Sequence, residues 1–165
     1  MRPQLHTWFS EYNRCHTHPT NRLTHKFALP VIVFHVVAML DWIAVPGAVL
    51  FELPSGPYML SVGHLFAVAA LAFYLWAEWR YALVMALFVL PMFPLAHVTP
   101  VWAVVALAVG GWLVQLAGHV VWEKAQPAFL TNLLQALIGP LYFVAVLLGD
   151  WHPEGEAQRT EPLAA

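Results

Sequence analysis

The chain has 165 residues, of which 61% are hydrophobic and only 10% charged, far from the quarter charged of a water-soluble domain. That balance excludes a soluble globule, and thirteen prolines do not signal disorder when eight tryptophans and ten phenylalanines accompany them. Seven Lys and Arg against nine Asp and Glu leave a net charge of -2 with no basic field for nucleic acid, and the lone Cys15 excludes an internal disulfide or a multi-thiolate zinc site.

Leu5, Trp8, Phe9 and Tyr12 fall at i, i+3, i+4 and i+7, so residues 3–14 read as a short helix whose aromatic face lies in a membrane interface. A polar stretch with Arg14, Arg22 and Lys26 follows. It is too wet for a signal peptide, and no cleavage is expected. Five stretches then approach the roughly 20 apolar residues that a spanning helix needs. They are Phe27–Phe51, Pro57–Ala77, Tyr81–Val98, Val101–Trp122 and Phe129–Gly149, joined by short connections. Pro91 and Pro94 should kink the third.

The expectation is therefore an all-α, multi-pass transmembrane bundle of about five spans. It divides into residues 1–26, a cytoplasmic interfacial helix with a histidine motif, residues 27–149, the transmembrane helices, and residues 150–165, a flexible acidic tail. With the N-terminus cytoplasmic, all seven basic residues except Arg159 lie inside, and the tail lies on the far side. The compact size and the lack of a sorting motif favour a bacterial inner membrane over the endoplasmic reticulum.

Nine histidines are the unusual feature, because ionisable groups near hydrocarbon are costly and usually paired or functional. His16, His18 and His25 precede the first span, and His119 ends the fourth on the same side. Gln115, His119 and Glu123, at i, i+4 and i+8, share a helix face beside Gly118. Imidazole with carboxylate suits divalent iron, zinc or manganese, and two or three histidines with open positions is the arrangement of non-haem iron oxygenases. The competing reading has these histidines only hydrogen-bonding headgroups and backbone. Within the spans, Asp41 and His64 are expected to form a packing pair; His6, His97 and His152 are expected to have no catalytic role, and Gly110–Gly111 to be a close helix contact.

Two motifs carry a resemblance. One is H-x-x-P-x-N-x-x-x-H, formed by His16, Pro19, Asn21 and His25, and the other G-H-x-x-[FW]-E-K-x-x-P-A, formed by Gly118, His119, Trp122, Glu123, Lys124, Pro127 and Ala128. In these the chain resembles the membrane 2-hydroxy fatty acid dioxygenases of eukaryotic lipid breakdown and their bacterial relatives. The resemblance extends more weakly over most of the chain up to Gly149. It departs in the apolar run Val144–Leu148, where an acid is often found, and in the extra His18.

The resemblance implies iron(II)-dependent oxidation of a 2-hydroxy fatty acid by dioxygen to the acid one carbon shorter, next to membrane lipid, with His16, His25 and His119 as Fe2+ ligands. Three ligands leave room for a chelating hydroxy acid and dioxygen, so Glu123 is expected behind an imidazole rather than on the metal. Gln115 is then a nearby hydrogen-bonding group, and His18, Asn21 and Lys124 lie around the metal or substrate. A homo-oligomer is compatible with the sequence. The alternatives are a b-type haem electron carrier using His35 and His64, or a non-enzymatic lipid-binding protein.

Overall fold

In the computed structural model, residues 2–54, 56–130 and 132–153 are described. Helix α2, Pro19–Asp41, is the axis. Pro19 starts it at a position where the missing N–H costs nothing, and the His18 side chain accepts from the Thr20 N–H as its cap. Around α2 pack α3 (Val62–Ala77), α5 (Met92–Val98) and α6 (Val101–Ala117), while α4 (Trp79–Val89) packs on α3. The segment Trp79–Val98 breaks between α4 and α5 at Leu90–Pro91, as the prolines predict. Gly111 lets α6 approach Val31 and Ile32 of α2, the close contact expected, whereas Gly110 faces open space.

Among the described residues, three helical segments are long and apolar enough to cross a membrane: Pro19–Asp41, Trp79–Val98 and Val101–Glu123. Two further apolar helices, α3 and α7 (Leu134–Leu147), have 16 and 14 residues, or about 24 and 21 Å at 1.5 Å per residue.

Three expectations need correction. The first expected span, Phe27–Phe51, begins earlier as helix and ends at Asp41. Ala44–Leu53 is instead a strand, β1, paired antiparallel with β2, Gly56–Ser61, so the fold is mostly helical rather than all-α. Val45, Val49 and Phe51 favour extended backbone, and Pro54 and Gly56 close the hairpin, Gly56 adopting a φ of 121°.

The second correction concerns α1, Pro3–Arg14. Its face of Leu5, Phe9 and Tyr12 is buried in the protein core and not turned to lipid. Phe9 packs edge-on against Tyr142 and Trp151, with centroids 5.8 and 5.5 Å away.

The third concerns the fifth apolar stretch. Near the start of α7, Gln135 donates to Glu11 of α1 at 3.2 Å. Just past its end, Asp150 accepts from Arg80 at 2.8 Å, and the Asn13 amide reaches the Pro153 carbonyl at 3.5 Å. Both ends of α7 thus stay beside α1, so α7 does not run to the hairpin end, and residues 150–153 lie at the end that carries His16. The acidic tail beyond Pro153 lies outside the described residues.

Candidate metal centre

Three imidazoles from three elements meet near the N-terminal end of α2. His16 sits in the turn between α1 and α2, His25 lies in the second turn of α2, and His119 lies in a π-helical turn, Gly118–Glu123, that continues α6. Such widened turns occur often at functional sites. All three side chains are almost fully buried. Their ring centroids lie 4.6, 4.7 and 4.9 Å apart with the planes crossing steeply, and one nitrogen of each is within 4.8 Å of the others.

Their hydrogen bonds fix where the lone pairs point. His16 Nδ1 donates to the Tyr12 carbonyl at 2.7 Å and His25 Nδ1 to the Asn21 carbonyl at 2.8 Å. A carbonyl oxygen only accepts, so both Nδ1 atoms carry protons and both Nε2 atoms carry lone pairs. His25 Nε2 faces His119 Nε2 at 3.0 Å. His16 Nε2 and His119 Nδ1 are buried with no hydrogen-bond partner among the described residues, a state that costs about 1–3 kcal/mol per group. Burial, reinforced by the neighbouring His25 ring, pushes His16 far below the ordinary imidazole range, to about 3. It therefore stays neutral. Two imidazoles oriented by backbone carbonyls and a third facing one of them, each offering a nitrogen within 4.8 Å of the others, form a donor set that can hold a metal ion.

Glu123 has a different task from the one expected. One carboxylate oxygen accepts from the Thr17 N–H at 2.8 Å and the Thr17 hydroxyl at 2.5 Å, and the other from the His18 N–H and the Asn21 amide, each at 3.0 Å. Neither oxygen hydrogen-bonds an imidazole. Glu123 instead ties the turn bearing His16 to the turn bearing His119, and Asn21 joins both, since its carbonyl also orients His25. Gly118 permits this closeness, because a Cβ there would run into the Asn21 side-chain oxygen and the Thr24 hydroxyl.

The remaining expected residues spread around this knot. His18 is spent on the α2 cap, its Nδ1 accepting from Thr20 at 3.2 Å. Lys124 is exposed and ends the π-helical turn at a left-handed φ of 52°. Gln115 is buried one turn before His119, and the two line a cavity of about 70 Å³ with His16 and Gln135. Gln135 was not singled out in the sequence, nor were Arg22, Lys26 and Tyr142, which share a second cavity of about 270 Å³ with His16 and His25. The spacing Arg22, Lys26, Leu29, Val33 on one helix face carried that signal. His152, expected on the far side, lines the same cavity.

The other polar groups are committed elsewhere. His35 Nδ1 donates to the Val31 carbonyl and its Nε2 accepts from Trp112, both at 3.2 Å, which leaves no ring nitrogen for a haem iron. Ser61 donates to Asp41 at 2.6 Å and lies 2.6 Å from His64 Nδ1, so the expected pair of Asp41 and His64 is bridged by a hydroxyl and ties α2 to α3. His97 lies 5.6 Å from the Tyr58 ring at the hairpin end, and His6 lies 5.1 Å from the Trp151 ring.

Compared with known protein families, the chain matches the model described as Mpo1-like, 2-hydroxy-palmitic acid dioxygenase Mpo1-like, over residues 3–151. No curated protein and no solved structure matches it.

Proposed function

The chain belongs to the Mpo1-like family, and on that premise we propose that it is an iron(II)-dependent membrane dioxygenase that shortens 2-hydroxy fatty acids by one carbon. The observation that carries this reading is the convergence of three buried imidazoles, two of which, His16 and His119, keep a ring nitrogen with no partner among the described residues. His16, His25 and His119 would hold the iron, which when bound supplies the means to activate dioxygen towards a hydroxy acid. The Tyr12 and Asn21 carbonyls keep the histidine protons on Nδ1, and Glu123 holds the two turns in register. Gln115 presents a hydrogen-bonding side chain in the small cavity beside His119.

Three segments long and apolar enough to cross a membrane among the described residues support the membrane reading. With the shorter α3 taken as a further crossing, α2, α3, α4 with α5, and α6 make four, and α1 and α7 lie together at the histidine end. Arg2, Arg14, Arg22, Lys26, Arg80 and Lys124 all belong to that end, and the hairpin carries no Lys or Arg, which the positive-inside rule assigns to a cytoplasmic site and N-terminus. A fatty acid in the cytoplasmic leaflet then meets the site at the level of its own carboxylate.

The test is anaerobic reconstitution of the purified chain with iron(II), followed by 2-hydroxypalmitate and dioxygen. The expected result is iron near stoichiometric with protein and pentadecanoate as product. A chain that retains no iron and yields no shortened acid would overturn the reading.

A further inference from the structure

The cavity of about 270 Å³ beside His16 and His25 contains Arg22 and Lys26 and, among the described residues, no acidic side chain. Arg22 donates through Nη2 to the Thr17 carbonyl at 2.7 Å, while its Nε is buried with no partner. Lys26 makes no ion pair among the described residues. Two cations thus border the imidazoles with no ion-pair partner among the described residues.

Lys26 also lines a larger groove of about 560 Å³. Leu29 and Val33 of α2, Met85 and Phe88 of α4, and Phe143 and Leu147 of α7 form its apolar walls. Lys26, Phe143 and Val146 belong to both spaces, so the polar chamber opens directly into the apolar groove. Pro30 and Pro140, each inside its helix, line the groove too. A chamber whose two cations form no ion pair among the described residues, leading into an apolar groove of this size, complements an anion on a long hydrocarbon chain.

We propose that Arg22 and Lys26 anchor the substrate's carboxylate and that its acyl chain runs into the groove between α2, α4 and α7, so that the carbon next to the carboxylate is the one held beside the imidazoles. This rests on the dioxygenase reading and adds which residues take each end of the substrate. Arg22 and Lys26 are positioning residues that set which carbon is presented, and the groove sets which chain lengths fit.

The test is equilibrium binding to the iron(II)-loaded chain under argon, where no turnover occurs, with iron content measured for every variant. Lys26→Met and Arg22→Met are each expected to weaken 2-hydroxypalmitate binding about tenfold, the scale of one charge-assisted hydrogen bond. Binding of its methyl ester should not change, and Lys26→Arg should restore the affinity for the acid. Val33→Trp is expected to weaken 2-hydroxypalmitate but not 2-hydroxyhexanoate. Iron should stay at the wild-type level throughout. Wild-type affinity for 2-hydroxypalmitate in the Arg22→Met, Lys26→Met double variant would overturn the anchor, with the dioxygenase reading intact. Lysophosphatidate competing as well as the hydroxy acid would overturn the carboxylate assignment in favour of a lipid phosphate. A wild-type chain that holds no iron and makes no product is the separate failure of the parent reading.

Discussion

Two polar clusters sit at opposite ends of α2, and they solve the burial of polar groups in opposite ways. At the hairpin end, Ser61 bonds to Asp41, sits against His64 and caps α3, so that each group has a partner within the cluster. At the other end, His16 Nε2 and His119 Nδ1 are buried without one. A closed network holds helices together, whereas an open one stores capacity for a ligand. The contrast separates the two sets of histidines, although both contain imidazole beside carboxylate.

The strongest way to break this comparison is to remove one group from each end. His25→Ala or His119→Ala is expected to abolish iron retention while helix content by circular dichroism stays close to wild type. Ser61→Ala should do the reverse, keeping iron but losing about 1–2 kcal/mol of stability through the lost cap and hydrogen bond. Equal iron loss from both ends would erase the distinction.

Gly118→Ala comes next. Its methyl group would force α2 and the π-helical turn apart at Asn21 and Thr24, so iron affinity and thermal stability should fall together, as followed by metal analysis and a melting curve.

Glu123→Gln is expected to act through the turns it ties. The amide keeps one acceptor oxygen but turns its NH2 towards groups that donate, namely the Thr17 or His18 N–H. A loss of about 10- to 100-fold in iron affinity is expected, the usual scale for a group that orients ligands. Loss as complete as that of His25→Ala, measured in the same titration, would make Glu123 a ligand instead.

The smallest effect belongs to Lys124. Elsewhere among the described residues positive φ occurs at glycines, Gly47, Gly56 and Gly149, but after the π-helical turn that bears His119 it falls on a lysine. Lys124→Gly should relieve that strain and raise stability by about 1 kcal/mol or less without altering iron content.

The histidine end was legible in the sequence because its information is local. H-x-x-P-x-N-x-x-x-H places a turn and a cap between His16 and His25, and any even number of crossings after α2 begins brings His119 back to the same end. The hairpin was not, since Val45 to Phe51 is apolar enough to pass for helix and short apolar runs do not reveal their period. Pro54 and Gly56 were the signal available there. The course of α7 was illegible for another reason: Gln135 with Glu11, and Arg80 with Asp150, are pairings that only the folded chain discloses. The partners of Glu123 were hidden in the same way, as two of them are backbone N–H groups.

The central claim is that His16, His25 and His119 bind one metal together. X-ray absorption at the iron edge of the anaerobically reconstituted chain tests it most directly, because imidazole rings give a distinct multiple-scattering pattern. The account predicts a first shell containing three imidazoles in the wild type and two in a His16→Gln chain loaded at high iron concentration. A wild-type shell of oxygen donors with one imidazole or none, or a shell unchanged by His16→Gln, would contradict it.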